Sequence, residues 1–212
     1  MKISILNFGM GNTYSVANAL KKIGADFEFV NERSQVQYAE KIILPGVGNF
    51  SKAMKSLKER ELDDGLIRAA NNGTPILGIC LGQQLLMEKS EESEDTMGLG
   101  LIEGEVKYFF NDKSFQKGKV PNIGWRRISS DEFQNINTNK NILKGIDYNC
   151  EFYFVHSLFV KPSNKRNILS SNSYFGVEYC TVVMKNNIYG CQFHPEKSGP
   201  EGLKILNNFI NL

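Results

Sequence analysis

Histidine and tryptophan are scarce in this 212-residue chain: His156, His194 and Trp125 are all there is. The four cysteines, Cys80, Cys150, Cys180 and Cys191, show no Cys-x-x-Cys spacing. With so few imidazoles beside them, a structural zinc site is not expected. No apolar run reaches the roughly 18 residues a membrane helix needs. No signal peptide opens the chain, since Lys2–Asn7 is a short β-like run ending in a turn. Neither sign of charge dominates: 25 Lys and Arg stand against 23 Asp and Glu, for a net charge of +2. Global charge therefore gives no argument for nucleic acid or another polyanion. The basic pairs Lys21-Lys22 and Arg126-Arg127 are short and read as solvated faces. Repeats, low-complexity tracts and clean linkers are also missing. What remains is one cytoplasmic domain, residues 1–212, with free thiols.

The first ninety residues alternate between two periods. Lys2–Leu6, Phe27–Val30, Lys41–Leu44 and Pro75–Ile79 are short apolar runs that predict strands. Between them, Thr13–Ile23, Ser51–Arg60 and Asp63–Asn71 carry apolar residues at helical spacing, and Gly24 and Gly73 stop two of these helices. Gly82–Lys89 returns to helical composition. Strands alternating with helices predict an α/β fold with a parallel sheet covered on both faces. The acidic stretch Ser90–Asp95 reads as a solvated loop, and Asn135–Asn141 as an asparagine-rich loop. Later strands are expected at Val106–Phe110, Phe152–Val155, Val182–Lys185 and Ile188–Gln192, the last two joined by a hairpin turn at Asn186-Asn187. Pro200–Asn211 reads as a capped terminal helix.

The sharpest feature is Gly78-Ile79-Cys80-Leu81-Gly82, set between a strand and a helix. A nucleophile on such a turn stands at the C-terminal edge of the sheet, and the flanking glycines permit the tight packing a sharp bend needs. The following helix points its N-terminus at the sulfur, which favours thiolate. The Leu81 N–H is then free to stabilise an oxyanion. A buried structural cysteine in a glycine-bounded turn would share the pattern. A thiol nucleophile also needs a base. His194, in Gln192-Phe193-His194-Pro195-Glu196, has Glu196 two residues on to fix its tautomer; His156, in Val155-His156-Ser157, has no adjacent acid. The spacing favours His194. A second glycine loop, Pro45–Phe50, follows the third strand and either supplies another oxyanion donor or is an ordinary strand-to-helix turn.

Pro45–Phe50, Gly78–Leu86 and Gln192–Gly199 together resemble the class I, triad-type glutamine amidotransferases. More narrowly the chain resembles the branch that forms the glutaminase subunits of imidazole glycerol phosphate synthases. That likeness rests on Asn7–Asn12 with Ser15-Val16, on Lys119–Trp125 (similar to K-I/V-P-H-M-G-W), on Phe152–Ser157, and on Gln192–Leu203, which matches Q-F-H-P-E-K-S-G-x-x-G-L. The resemblance spans essentially the whole chain. It implies a three-layer, flavodoxin-like, mostly parallel sheet with helices on both faces. It implies that Cys80 attacks the carboxamide of L-glutamine, that His194 moves the proton and that Glu196 orients His194. Val47, Gly48 and Leu81 fall on the oxyanion site, and Gln84, Ser157 and Leu158 on the glutamine site. No metal or organic cofactor is implied. The partner implied is a HisF-type (β/α)8 cyclase, bound as a heterodimer through Trp125 and Lys197. That cyclase receives the ammonia to make imidazole glycerol phosphate and AICAR in histidine biosynthesis. Three residues depart from the pattern: Asn7 for aspartate, Gln83 for methionine and Asn122 for histidine. The last, taken as interface-side, leaves room for a paralogue that supplies ammonia for amidination of a bacterial surface sugar. A non-catalytic partner domain and a cysteine peptidase are the other readings. The intact Cys80, His194 and Glu196 argue against the first, and Gln84 with Lys119–Trp125 against the second.

Overall fold

The computed structural model describes residues 1–130 and 141–212. The asparagine-rich stretch from 135 to 140 lies outside the described residues. The first half runs β1 (Ile3–Leu6), α1 (Thr13–Lys22), β2 (Phe27–Val30), α2 (Arg33–Gln37), β3 (Lys41–Gly46), α3 (Phe50–Glu59), α4 (Leu62–Asn71), β4 (Ile76–Cys80) and α5 (Leu81–Leu85). The second half runs β5 (Lys89–Ser90), β6 (Ser93–Met97), β7 (Gly104–Tyr108), β8 (Asn122–Arg126), β9 (Ser129–Ser130), β10 (Phe152–His156), β11 (Leu158–Pro162), β12 (Ile168–Tyr174), β13 (Val177–Lys185), β14 (Ile188–Cys191) and α6 (Gly199–Ile210).

The main sheet has the order β2-β1-β3-β4-β14-β13-β11-β7-β5-β6, with β12 branching from β13 and β9 paired to β12. From β2 to β14 every pairing is parallel. Beyond β14 the pairings are antiparallel except that of β7 with β5, which is parallel. β8 and β10 form a separate antiparallel pair, with Tyr153 opposite Trp125 and His156 opposite Asn122.

The inner parallel strands β1, β3, β4 and β14 are buried on both faces, so their side chains split by position. Ile3, Ile5, Ile43, Leu77 and Ile79 join the core that holds Val16 and Leu20 of α1 and Leu206 and Phe209 of α6. Ile42, Leu44 and Ile76 join the opposite core with Val36, Phe50, Leu57 and Leu66 of α2, α3 and α4. This period of two converts a continuous apolar run into two hydrophobic layers. Helix ends are closed by side chains. Asn12 and Asn49 accept from backbone N–H groups in the first turns of α1 and α3. The buried Lys41 ammonium donates to the carbonyls of Phe209, Ile210 and Leu212 and closes the C-terminal end of α6. No helix among the described residues is long and apolar enough to cross a membrane.

Two expectations are corrected. The helix expected over Gly82–Lys89 ends at Leu85. The stretch Ser90–Asp95 is no solvated loop; it forms the turn and flanks of the β5–β6 hairpin. Its acids accept from main-chain donors of neighbouring elements: Glu92 Oε2 from Phe50 N at 2.6 Å, and Glu91 Oε2 from Tyr108 N at 2.8 Å. Charge-assisted bonds to otherwise unpaired N–H groups anchor a segment whose composition alone suggests solvent.

Candidate active site

β4 delivers Cys80 to the C-terminal edge of the parallel sheet. There the chain turns sharply, with Cys80 at φ 55° and ψ −110°, and α5 begins at the next residue. A non-glycine residue at positive φ is uncommon and costs on the order of 1–3 kcal/mol. The glycines around it are explained by contact. A Cβ on Gly82 would stand 1.8 Å from the Leu44 carbonyl oxygen, and one on Gly78 would stand 2.6 Å from the Gly82 carbonyl. The turn therefore closes only because α5 sits directly on β3 and β4. The Leu81 N–H opens α5 and has no acceptor within its own helix.

His194 follows β14 by three residues. Its N–H donates to the Tyr153 carbonyl at 2.9 Å, and its carbonyl accepts from Ser198 Oγ at 2.6 Å, so the main chain is pinned on both sides. Pro195 opens a short 3-10 turn that folds Glu196 back, placing Oε1 2.8 Å from His194 Nδ1. Both side chains are almost fully buried. Burial pulls the imidazole toward its neutral form, but the neighbouring Cys80 sulfur and the Glu196 carboxylate outweigh it and raise the His194 pKa to about 10. His194 Nε2 and Glu196 Oε2 have no hydrogen-bond partner among the described residues. A carboxylate on Nδ1 fixes the ring and its Nδ1–H tautomer.

Cys80 and His194 line one cavity of about 500 Å³, shared with Val47, Gly48, Leu81, Gln84, Ser157 and Leu158. Glu196 stands behind His194, outside that lining. Gly48 has φ +104°, a conformation that only glycine adopts freely. Trp125 and Lys197 lie elsewhere. Both are exposed and meet over Tyr153, the Trp125 ring 5.8 Å from the tyrosine ring and Lys197 Nζ 5.8 Å above it. Tyr153 is 6.4 Å from the His194 ring, so this outer patch adjoins the site.

Three lining or adjoining residues were not expected in these roles. Glu92, from the stretch read as solvated, brings a carboxylate into the cavity, the group an α-ammonium requires. Gln192 places Nε2 3.8 Å from the Cys80 sulfur. His156 also lines the cavity, but burial lowers its pKa to about 4, so it is neutral at ordinary pH. Asn122, taken as an interface-side residue, is completely buried and faces His156 at 2.9 Å.

Cys80 on a strand-to-helix elbow, with His194 in the same cavity and Glu196 paired to His194 from behind, is an arrangement that can cleave an amide through a cysteine nucleophile. Residues 4–212 match the sequence family described as glutamine amidotransferase class-I. The chain is 41% identical over 211 residues to imidazole glycerol phosphate synthase subunit HisH of Geobacillus kaustophilus, covering 99% of this chain and 96% of that protein. It is 39% identical over 213 residues to subunit HisH 1 of Methanococcus maripaludis, covering 99% of each. The chain belongs to the class-I glutamine amidotransferase family, in its HisH branch. Solved structures agree on the fold: PurLQS from Thermotoga maritima superposes with a TM-score of 0.73 at 19% identity, covering 99% of this chain and 97% of that one. A crystal structure of a glutamine amidotransferase gives 0.72 at 16% identity, with the same coverage.

Proposed function

We propose that this chain is a cytoplasmic, single-domain glutaminase subunit that hydrolyses L-glutamine and passes the ammonia to a HisF-type (β/α)8 cyclase. The acceptor reaction forms imidazole glycerol phosphate and AICAR in histidine biosynthesis. The observation that carries the reading is the strained Cys80 sharing one cavity with the buried His194, whose Nδ1 is paired with Glu196 behind it.

In this mechanism the Cys80 sulfur attacks the side-chain carbonyl carbon of glutamine. The developing oxyanion is met by the Leu81 N–H and the Val47–Gly48 loop. His194 gives its proton to the departing nitrogen, the C–N bond breaks, and ammonia leaves a glutamyl thioester. Water then attacks the thioester while His194 takes its proton; the C–S bond breaks and glutamate is released. Gln84, Ser157 and Leu158 hold the glutamine, and Glu92 meets its α-ammonium. Trp125 and Lys197 dock the cyclase, on a patch close enough to His194 for ammonia to leave without crossing open solvent. The case for a surface-sugar paralogue leaned on Asn122 as an interface departure. Its complete burial removes that ground, and the HisH names of the relatives favour the histidine pathway.

The test is glutamate release by the purified chain with its cyclase partner, with and without the cyclase's nucleotide substrate. Strong stimulation that vanishes in Cys80→Ala is the expected result. Turnover that needs the barrel but ignores the nucleotide moves the enzyme to another acceptor, and no turnover refutes the reading.

A further inference from the structure

The polar groups between β8 and Cys80 form one continuous chain of contacts. Arg126 Nε donates to Asn122 Oδ1 at 2.6 Å, and Asn122 Nδ2 lies 2.9 Å from His156 Nε2. His156 Nδ1 is 2.7 Å from the Leu158 carbonyl oxygen, which also accepts from Gln84 Nε2 at 3.2 Å. Gln84 Nε2 donates in addition to Gln192 Oε1 at 3.3 Å, and Gln192 in turn places Nε2 3.8 Å from the Cys80 sulfur. Asn122 and Gln192 are 0% exposed, and His156 and Gln84 are 5% exposed.

The direction of these bonds is forced from two fixed points. A guanidinium only donates, so Asn122 turns its oxygen to Arg126 and its amide nitrogen to His156 and to the Tyr179 hydroxyl, 3.3 Å away. A main-chain carbonyl only accepts, so His156 carries its proton on Nδ1 and accepts on Nε2. The two requirements agree. On the other side, the same carbonyl and Gln192 use both amide hydrogens of Gln84, leaving the Gln84 oxygen as its free group in the cavity.

We infer that Arg126, Asn122 and His156 are positioning residues: they hold the Leu158 carbonyl, which orients Gln84 so that it offers an acceptor to an N–H donor of the substrate. The inference deepens the glutaminase reading and rests on it. It also joins two surfaces. Ile123 and Trp125 project outward from β8 with 54% and 51% exposure, while Asn122 and Arg126 on the same strand reach inward. A cyclase docked on the outer residues therefore presses on the strand that supports the glutamine site.

The test uses the full chain with its cyclase partner. Asn122→Leu and His156→Phe are expected to raise the KM for glutamine about tenfold, the worth of roughly one buried hydrogen bond, while kcat stays within about threefold. Alkylation of Cys80 by iodoacetamide, a probe that makes no use of Gln84, stays within about twofold. Asn122→Asp keeps the acceptor for Arg126 and draws a second proton onto His156, which still donates to Leu158. Its KM is expected near the parent value, with nitrogen NMR showing the parent ring as the neutral Nδ1–H tautomer and the variant ring doubly protonated. Arg126→Met, at the half-buried end, tests the same chain should the buried variants not fold, with a smaller rise in KM. An unchanged KM in Asn122→Leu or, failing its folding, in Arg126→Met overturns the inference. So does a loss of turnover matched by an equal loss of alkylation, which marks general loosening. A parent enzyme without glutamine turnover fails the glutaminase reading itself.

Discussion

His194 and His156 line the same cavity, are buried to nearly the same degree, and each uses Nδ1 in one short hydrogen bond, at 2.8 and 2.7 Å. The partners differ. His194 has the Glu196 carboxylate on Nδ1 and the Cys80 sulfur beside it; His156 has a neutral carbonyl on Nδ1 and one amide hydrogen of Asn122 on Nε2. One imidazole is raised to about 10 and the other lowered to about 4. Burial acts in the same direction on both, so burial does not decide which histidine becomes the proton carrier. The Cys80 sulfur and the Glu196 carboxylate outweigh desolvation at His194, whereas at His156 only the hydrogen bond to the Leu158 carbonyl opposes it, and desolvation wins.

The largest effects break this comparison at the reacting atoms. Cys80→Ala and His194→Ala are expected to lower kcat by at least about 1,000-fold, since each removes a whole step. His156→Phe, by contrast, leaves kcat within about threefold and acts on KM. Steady-state glutamate release with the cyclase partner measures both. Equal losses of kcat at the two histidines would refute the division of roles. Glu196→Gln keeps a hydrogen bond to Nδ1 but removes the charge. A fall in kcat of about 100-fold is expected, together with a lowered His194 pKa. A pKa raised in the fold means that His194 keeps its proton below about 10 and loses it above. Titration by NMR should therefore show His194 protonated and His156 neutral throughout pH 6–8. In Cys80→Ala the His194 midpoint should fall, because the sulfur is the larger of the two influences that raise it.

Much of the His194 side was legible in the sequence. Gly78 and Gly82 announce the elbow because a tight turn needs both, and Glu196 follows His194 closely enough for local backbone geometry to pair them. The central parallel strands were legible because β3 and β4 are apolar runs set beside proline and glycine. The His156 side was not. Its Nε2 partner Asn122 lies 34 residues away on β8, its Nδ1 partner is a main-chain carbonyl that no side-chain pattern marks, and a neutral hydrogen-bonded histidine leaves no local trace. The β5–β6 hairpin escaped for a related reason: strands of 2 and 5 residues are too short to show a period, and Glu91 and Glu92 find their donors only in the folded chain. Trp125 and Lys197 were linked by resemblance alone; their meeting over Tyr153 depends on the pairing of β8 with β10.

The smallest effect separates a useful unpaired group from a costly one. Among the described residues, the buried side-chain atoms without a hydrogen-bond partner are His194 Nε2, Glu196 Oε2 and both amide atoms of Gln83. In the proposed mechanism the histidine nitrogen is the atom that moves the proton, so an unpaired state there has a use. Gln83 is 0% exposed and wedged against β14, where a Cβ on Gly190 would stand 2.6 Å from its Cγ. A buried polar group left unpaired costs about 1–3 kcal/mol. Methionine has similar length and no such requirement, so Gln83→Met should raise the Tm by about 2–4 °C per kcal/mol recovered. Because the Gln84 amide is held by Leu158 and Gln192 rather than by Gln83, glutamine turnover should not change. Thermal unfolding of the two proteins decides it: a lower Tm in the variant would mean that the Gln83 amide stabilises the turn behind Cys80.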